Sequence, residues 1–270
     1  MKHNDITVLI LLYKTPKNLI SNILAYKDFK ILILDQSNDK KTKKFLQNKL
    51  PKINYYGLTN KNKGFAKAQN FLIKKVKTKY FFSTQPDIKI NKDSIYRLKK
   101  LLKKSKKNLI SIPNINNSIS KKNKSKITSK KMIGAAFLSK KKEFIKFGMF
   151  DENFFFYWED VDLSTRIDRS AFVIVKDYYS RATHLSGNST DKGIYQTYIR
   201  KVNFRFGEYL YLSKYRKLRK LKIFREITLN IIRFLLNLII LRFNKSLLNI
   251  FNLIGILKFL ILKKNENTKI

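Results

Sequence analysis

The sequence predicts an α/β fold with a mostly parallel central sheet and an apolar helical appendage near the C-terminal end. Short apolar runs alternate with segments of helical spacing through residues 6–104, and a long stretch rich in Leu, Ile and Phe lies near the end of the chain. Strands that alternate with helices favour right-handed crossovers and parallel pairing. A length of 270 residues is sufficient for one α/β domain with such an appendage.

Four strands are predicted, and the first is a continuous apolar run that is typical of a strand buried on both faces. In chain order they are Ile6–Leu12, Phe29–Leu34, Ile53–Leu58 and Tyr80–Thr84. Helical spacing predicts helices at Lys17–Tyr26, Lys40–Leu50, Gly64–Lys75 and Lys92–Lys104. Because ligands of parallel sheets bind at the carboxyl ends of the strands, Asp35 and Asp87 are expected at one site.

The composition restricts the chemistry but leaves the meaning of the charge open. The chain has no cysteine, which excludes disulfides, thiolate metal sites and cysteine nucleophiles. The net charge of +41 favours a polyanionic partner, either nucleic acid or an anionic membrane leaflet. It also fits a protein in which lysine is the common surface residue, since the lysines are spread along the whole chain. The polar stretch Asn114–Lys131 is predicted to be a surface loop.

Two apolar runs near the end of the chain predict a pair of helices. They cover Ile227–Leu241 and Ser246–Leu257, and basic residues flank both. Neither run reaches the ~18 uninterrupted apolar residues of a confident membrane span. Apolar helices bordered by cations are typical of helices that lie in a membrane interface. The alternative is a helical hairpin that packs on the protein's own core or in a homodimer.

The segment most informative about chemistry is an acidic and aromatic cluster. Of the 18 acidic residues of the chain, five lie at positions 151–162: Asp151, Glu152, Glu159, Asp160 and Asp162. The single tryptophan, Trp158, directly precedes the Glu-Asp pair. Carboxylates crowded against aromatic rings have raised pKa values, which suits a proton acceptor near neutral pH. The plainer interpretation is the first turn of a helix, where anions are favoured, and both interpretations can hold together.

From Gly148 to Arg166 this segment resembles the acceptor-side signature of inverting family 2 glycosyltransferases, G-x-F-D-E-x-F-F-x-Y-x-E-D-x-D-L-x-x-R. The likeness is strongest to the rhamnosyltransferase-like bacterial branch. It implies a GT-A fold, in which a nucleotide-binding half is joined to an acceptor-binding half. It also implies that Asp160 is the general base and that Trp158, Glu159 and Asp162 lie on the acceptor side.

Further motifs of the same family follow in the expected order. Asp35-Gln36-Ser37-Asn38-Asp39 resembles its D-N-x-S-x-D, which implies that Asp35 accepts a hydrogen bond from the base of the donor, although an Asx turn is the simpler interpretation. The segment from Asn62 through Gly64 to Asn70 resembles N-x-G-x-x-x-x-x-N and implies close approach of the nucleotide. Of the family's T-Y-N motif after the first strand, only Tyr13 is kept.

The resemblance also implies a divalent metal, Mg²⁺ or Mn²⁺. Gln85-Pro86-Asp87 stands where the family has its D-x-D metal motif, so Asp87 would supply the carboxylate. His184 lies in a segment similar to the family's H-x-x-G-x-S, and in some members that histidine is a second metal ligand. A single histidine is more often structural, so this role stays open.

Together these motifs predict a glycosyltransferase domain at residues 1–205 and a helical, membrane-associated region at 206–270. Within the first, residues 1–110 would bind the nucleotide and residues 132–190 the acceptor. We expect transfer of rhamnose or a related hexose from a dTDP- or UDP-sugar to a polyprenyl-linked glycan, in lipopolysaccharide or cell-wall synthesis. The expected location is the cytoplasmic face of the bacterial inner membrane. The alternatives are a catalytically inactive relative that binds glycan or membrane and, less favoured by the acidic cluster, a basic nucleic-acid-binding protein.

Overall fold

A computed structural model describes residues 5–50, 53–57, 62–116, 126–185 and 193–267. The chain forms two compact units, which are named here after their content. The sheet unit comprises Met1–Asn153 and Glu159–Asp191, and the helical unit comprises Phe154–Trp158 and Lys192–Ile270.

The first four strands of the sheet unit are parallel, as the sequence predicts. They are β1 (Ile6–Leu12), β2 (Lys30–Asp35), β3 (Ile53–Gly57) and β4 (Tyr80–Thr84). They lie in the order β3-β2-β1-β4, with β1 paired to both β2 and β4. Alternate residues of β1 point to opposite faces, and all but one are buried, because helices and loops cover both sides of this part of the sheet.

The predicted helices between these strands are present with small changes of boundary. The first is a single turn, α1 (Lys17–Ile20), which continues as a 3₁₀ helix over Ser21–Tyr26. The carboxylate of Asp39 accepts the N–H of Lys41 to begin the next helix, and Asn91 caps a later helix in the same way. These helices are α2 (Lys40–Lys49), α3 (Phe65–Lys75) and α4 (Lys92–Lys103).

The second part of the sheet is mixed rather than parallel. Its strands are β5 (Ile88–Ile90), β6 (Asn108–Ile115), β7 (Lys126–Ser129), β8 (Ala136–Lys140) and β9 (Val173–His184). β8 runs antiparallel to β4 and β6, whereas β6 and β9 are parallel. β9 also pairs with β5 and β7, both antiparallel.

The predicted loop Asn114–Lys131 is wrong at both ends. β6 extends through Ile115, and β7 pairs with β9 although its sequence is polar. A strand at the margin of a sheet needs main-chain pairing more than apolar side chains, which explains why the composition concealed β7. The part of this loop at residues 117–125 lies outside the described residues.

Two helices complete the sheet unit. α5 (Lys141–Lys146) follows β8, and α6 (Glu159–Asp168) begins at the Glu-Asp pair of the acidic cluster. Glu159, Asp160 and Asp162 therefore stand in the first turn of a helix, where the aligned N–H groups favour negative charge. This outcome agrees with the helical interpretation of the cluster.

The helical unit contains α7 (Ile194–Lys214), α8 (Lys220–Ile239) and α9 (Phe243–Asn267). Phe206 and Tyr209 of α7 pack with Ile256 and Phe259 of α9 to form its core. The two predicted apolar runs thus belong to a helix pair, as expected. The domain boundary predicted at residues 205 and 206 falls inside α7, because this helix is continuous and supplies the core of the unit.

Candidate active site

The carboxyl ends of β1, β2 and β4 lie side by side at one edge of the sheet. β1 pairs in parallel with β2 on one side and with β4 on the other. Neighbouring strands are about 4.8 Å apart, so the residues that end or follow them emerge close together. Asp35 ends β2, Tyr13 follows β1, and Asp87 lies in the turn after β4. Three of the predicted site residues therefore share one edge.

Asp35 has a buried carboxylate that is fully occupied by donors of its own chain. Oδ1 accepts hydrogen bonds from the main-chain N and the Oγ of Ser37, at 2.8 and 2.6 Å. Oδ2 accepts from the N of Asp39 and the hydroxyl of Tyr55, both at 2.7 Å. A carboxylate has about four acceptor positions, and all are used. The structure thus favours the Asx turn, and the contact between Asp35 and the base of the donor stays a prediction.

A polar cavity of about 200 Å³ adjoins this turn. Its lining includes Lys14, Thr15, Ser37 and Thr42. The N–H of Lys14 donates to Oγ of Ser37 at 3.1 Å, which joins the ends of β1 and β2. Tyr13 is half-buried beside this lysine. Asp35 and Asp39 also line it, so hydroxyl groups, one cation and two carboxylates make the cavity suited to a polar, hydrogen-bonding ligand.

The segment that precedes α3 is attached to the same edge. Oε1 of Gln36, next to Asp35, accepts the N–H of Lys63 at 2.8 Å, and Oδ1 of Asn62 accepts the N–H of Gly64 at 2.9 Å. Gly64 has φ = 79°, a left-handed conformation that disfavours other residues. The positive end of α3 therefore begins at the sheet edge, as the resemblance implies.

Asp87 and His184 come together although they are far apart in the chain. Oδ2 of Asp87 lies 3.4 Å from Nε2 of His184, and Asp87 is 1% exposed. Neither carboxylate oxygen of Asp87 has a hydrogen-bond partner among the described residues. The 3.4 Å approach is thus an electrostatic contact rather than a hydrogen bond. A buried carboxylate without donors beside an imidazole has the oxygen and nitrogen atoms that a divalent cation binds.

His184 is held beside Asp87 by main-chain contacts. The short pairing of β5 with β9 places Ile88 opposite His184, and the N–H of Leu185 donates to the carbonyl of Asp87 at 3.0 Å. From the other side, Oδ1 of Asn116 accepts the N–H of His184 at 2.8 Å. The main chain at His184 is therefore held by the sheet, which brings the imidazole beside Asp87.

Asp160 is anchored at the same edge by the segment before β8. Its Oδ2 accepts the N–H of Gly134 at 3.1 Å, and its Oδ1 accepts the N–H of Val161 at 2.8 Å. Gly134 lies two residues before Ala136, which pairs with Thr84 at the carboxyl end of β4. Burial raises the pKa of Asp160, and these two hydrogen bonds oppose the increase. Each oxygen keeps acceptor capacity, so this carboxylate can still take a proton.

Glu159 is more deeply buried than its neighbour. It is 6% exposed, and its Oε2 has no hydrogen-bond partner among the described residues. Burial, together with the charge of Asp160, raises the pKa of Glu159 to about 8. At neutral pH this side chain holds its proton, so it is a hydrogen-bond donor and not a second base.

Asp162 has a structural position in the first turn of α6. Its side chain is fully buried, and Oδ2 accepts Nε of Arg166 at 2.9 Å. The same guanidinium donates to the carbonyls of Phe147 and Met149. The pair thus fixes the turn before the acidic cluster to α6. The predicted place of Asp162 on the acceptor side therefore rests on the family resemblance alone and stays a prediction.

Trp158 belongs to the helical unit, although Glu159, the next residue, begins α6. Its ring packs against Phe204 and Tyr211 of α7, with centroid distances of 5.7 and 5.3 Å. Gly207 makes room for it, because a Cβ at that position would stand 3.1 Å from the indole Cδ1. Tyr157 and Trp158 have φ of 70° and 72°, a strained conformation for aromatic residues. The indole N–H is buried and has no partner among the described residues.

Sequence reasoning missed three residues that position the others. They are Gly134, which holds Asp160 by a main-chain N–H, Asn116, which holds His184, and Asn70 of α3. The side chain of Asn70 accepts the N–H of Phe150 and donates to its carbonyl, at 3.2 and 2.9 Å, and it also donates to Glu152. Asn70 was visible as the last residue of the N-x-G-x-x-x-x-x-N motif, but nothing in that motif indicated a bond to the acidic segment.

Comparison with known proteins identifies the family and the fold. Residues 11–163 match the family described as Glycosyl transferase family 2. No curated protein matches the sequence significantly. A mannosyltransferase from Pyrobaculum calidifontis in complex with GDP-Man and Mn²⁺ superposes with a TM-score of 0.59 at 14% identity, over 80% of this chain and 65% of that one.

Two further solved structures have the same fold. GalNAc-T7 with UDP, GalNAc and Mn²⁺ gives a TM-score of 0.57 at 12% identity, over 76% of this chain and 47% of that one. S. aureus TarS gives 0.50 at 12% identity, over 74% and 39%. The chain thus spans less than two thirds of the length of each of the three, and at these identities the likeness concerns the fold. The family match covers more than half of the sequence, so the chain belongs to glycosyl transferase family 2 and has the GT-A fold.

Proposed function

We propose that the protein is an inverting transferase that moves rhamnose or a related hexose from a dTDP- or UDP-sugar to a glycan acceptor, with Mg²⁺ or Mn²⁺. One observation carries this proposal. Two carboxyl groups with different environments stand at the same sheet edge: Asp87 has no hydrogen-bond donor, and Asp160 has a raised pKa and spare acceptor capacity. The first arrangement suits a cation ligand, and the second suits a base.

Asp87 and His184 are the residues that would hold the metal. They fit the requirement, since a buried carboxylate without donors and an imidazole nitrogen stand 3.4 Å apart. No group of three or more His, Cys, Asp or Glu residues suitable for a metal occurs among the described residues. Two protein ligands leave positions for a diphosphate, and when bound the cation would neutralise charge on the departing nucleotide. Mn²⁺ in two of the similar structures supports this assignment.

Asp160 is proposed as the base. As the acceptor hydroxyl oxygen forms a bond to the anomeric carbon, its proton passes to the carboxylate, and the electron pair of the breaking carbon–oxygen bond leaves with the nucleoside diphosphate. Attack opposite the leaving group inverts the anomeric centre. The N–H groups of Gly134 and Val161 fix the carboxylate, and its raised pKa makes it a better proton acceptor near neutral pH. Glu159, with a pKa of about 8, remains beside it as a protonated neighbour that does not compete as a second base.

The donor is proposed to lie along the ends of β1 and β2. The cavity next to Lys14 and Ser37 offers a cation and hydroxyl groups beside the carboxylates of Asp35 and Asp39, and the amino end of α3 at Gly64 adds a positive dipole for the phosphates. Tyr13 and Asn62 remain candidate nucleotide contacts at this edge. UDP and GDP-Man in the titles of two similar structures support a nucleotide-sugar donor.

The acceptor is proposed to be a polyprenyl-linked saccharide at the cytoplasmic face of a bacterial membrane, in synthesis of a cell-surface polysaccharide. Support comes from the large amount of exposed apolar side chain in the helical unit, which suits a substrate carried by lipid. Trp158 is retained as a candidate acceptor contact, since its indole N–H lacks a partner in the described part of the chain.

The test combines binding and transfer measurements. Purified protein is screened for thermal stabilisation by UDP, dTDP and GDP with and without Mn²⁺, and then for transfer from the sugars of the nucleotide that binds. Asp160→Asn is expected to keep donor stabilisation and to lose transfer by about 10²–10⁴-fold, the range for removal of a general base. Asp168→Asn, an exposed carboxylate at the other end of α6, is the matched control and should transfer normally. Normal transfer by Asp160→Asn would refute the base, and donor binding without any transfer by the wild-type protein would favour an inactive relative.

A further inference from the structure

Helix α8 presents most of its large apolar residues outward. Asn230 is the one buried residue of the helix, whereas most of its large aliphatic and aromatic side chains are exposed. These exposed side chains recur every three or four positions, which places them on one face of the helix. They are Leu221, Phe224, Ile231, Ile232, Leu235, Leu236, Leu238 and Ile239, with exposed fractions of 36–76%.

The inner face of α8 packs Ile223 and Ile227 against the core of its unit and also makes polar contacts with the other helices. Oδ1 of Asn230 accepts Nδ2 of Asn252 in α9 at 3.2 Å. The carboxylate of Glu226 lies 3.8 Å from Nη2 of Arg205 in α7. These contacts fix the rotation of α8, so its apolar face is not free to turn towards the core of its own unit.

The apolar surface continues into the turn that joins α8 to α9. Ile240, Leu241 and Phe243 are 54%, 72% and 62% exposed. Soluble monomers rarely leave so many contiguous large apolar side chains in water, and such a surface marks contact with a membrane or another protein. We therefore define α8's outer face together with residues 240–243 as the apolar face.

Charge decides which partner suits the apolar face. Residues 193–265 contain sixteen lysines and arginines and two acidic residues, Glu208 and Glu226. Both acids are engaged within the unit, by Arg205 and, for Glu208, by Lys222. Arg225, Arg233 and Arg242 are exposed on or beside the apolar face. A second copy of this cationic surface would be repelled, whereas anionic lipid headgroups would be attracted.

We propose that the apolar face inserts into the interface of a bilayer that contains anionic lipids, with α8 lying in the membrane plane and its arginines at the headgroups. This inference concerns the helical unit alone and is independent of the proposed sugar transfer. The chemistry of the partner is that of a phospholipid surface with net negative charge.

A transmembrane arrangement is less consistent with the packing of α9. Among the described residues, one helical segment is long and apolar enough to cross a membrane, and it covers Phe243–Asn265. However, α9 packs closely on α7 at Gly255, where a Cβ would stand 2.6 Å from the carbonyl oxygen of Val202. Phe251, Ile256 and Phe259 of α9 are buried within the unit. The larger exposed apolar surface belongs to α8, and the arrangement in the membrane plane buries that surface in the bilayer.

The experiment measures binding of the full chain to vesicles by co-flotation, with phosphatidylcholine alone and with added phosphatidylglycerol. We expect binding that requires the anionic lipid and weakens with salt. Ile232→Ser, Leu235→Ser and Ile239→Ser combined should reduce partitioning by at least about tenfold, because three inserted side chains are lost. Phe45→Ser with Tyr179→Ser, which replaces two exposed apolar residues of the sheet unit, is the control and should bind as the wild type does.

The remaining outcomes each decide against the proposal. Unchanged binding of the triple variant, or no binding of the wild type, overturns it. Resistance of bound protein to extraction with alkaline carbonate would indicate a span. A dimer in solution that the triple variant dissociates would assign the apolar face to a second copy. Thermal stabilisation by nucleotide on the same preparations keeps a failure of membrane binding distinct from a failure of the sugar-transfer proposal.

Discussion

Asp35 and Asp87 are two buried carboxylates at the same edge of the sheet, and their surroundings are opposite. Each is 1% exposed, and they end or follow β2 and β4, the two neighbours of β1. Asp35 accepts four hydrogen bonds from its own chain, whereas Asp87 has none among the described residues. A shared location at strand ends therefore does not give two aspartates the same role.

The difference follows from the cost of burying charge. A buried carboxylate is strongly unfavourable unless donors or a cation compensate for the lost water. At Asp35 the compensation comes from Ser37, Asp39 and Tyr55, so the charge stabilises the turn. At Asp87 the neighbouring charged or polar group is the imidazole of His184 at 3.4 Å. We infer that Asp35 contributes mainly to stability and Asp87 mainly to ligand binding.

The largest effect is expected for Asp87→Asn. An amide binds a hard cation much less well than a carboxylate, so the extra stabilisation that Mn²⁺ gives to nucleoside diphosphate binding should be lost almost entirely. The free energy of unfolding without ligand should fall by less than about 1 kcal/mol, because no hydrogen bond to the carboxylate is broken. Thermal shift with and without Mn²⁺ measures the first quantity, and denaturant titration measures the second.

Asp168→Asn is again the matched control and should change neither quantity, since its carboxylate is exposed on the last turn of α6. A large loss of stability in Asp87→Asn would mean that this carboxylate is structural, and the contrast with Asp35 would then disappear. An undiminished response to Mn²⁺ would remove Asp87 from the metal site.

Much of the sheet edge was predictable because it depends on local sequence. The bounds of β1 and β4 are those predicted, since each is an apolar run between polar residues. The start of α6 at Glu159 was also predictable from the density of carboxylates there. These features need only the periodicity of side chains and the preference of a helix start for anions.

The pairing of Asp87 with His184 was predicted only through family resemblance and not from the residues themselves. It depends on β5, a strand of three residues, which is too short to leave a hydrophobic pattern, and on its register with β9. The buried state of Asp162 was also concealed. Its i,i+4 spacing from Arg166 indicated an ion pair, but not that the pair would be buried beneath the turn at Phe147 and Met149. Sequence patterns give the element, whereas long-range register gives the environment of each charge.

The second prediction concerns Asp35, the carboxylate that we expect to contribute mainly to stability. In Asp35→Asn the side-chain NH₂ group must face N–H and O–H donors from which the carboxylate accepted hydrogen bonds. About two of the four bonds are therefore lost. Hydrogen bonds to a charged acceptor contribute about 1.5–3 kcal/mol each, and we expect the free energy of unfolding to fall by about 3 kcal/mol. Tyr55→Phe removes one of these donors and should cost about 1.5 kcal/mol, the lower end of that range.

Denaturant titration of both variants at neutral pH gives these values. Equal stability of Asp35→Asn and Asp87→Asn would contradict the assignment of different roles. If Tyr55→Phe alone costs as much as Asp35→Asn, the loss comes from packing of the tyrosine ring and not from the hydrogen bonds of the turn.

The last prediction extends the comparison to Glu159, a third buried carboxyl group. Because Glu159 keeps its proton, it carries no buried charge. Burial and the charge of Asp160 raise the pKa of Glu159 to about 8, above its value in the unfolded chain. Between these two pKa values the native state binds more protons than the unfolded state, so stability must fall as pH rises towards about 8. From about pH 6 to pH 8 the wild-type protein should lose roughly 2 kcal/mol relative to Glu159→Gln, which carries no titrating group. Denaturant titrations across this range measure how the free energy of unfolding changes with pH. A smaller dependence remains in the variant, because burial also raises the pKa of Asp160. An identical pH dependence in the two proteins would show that Glu159 is ionised when folded. The charge at its Oε2, like that of Asp87, would then lack a compensating hydrogen-bond donor among the described residues.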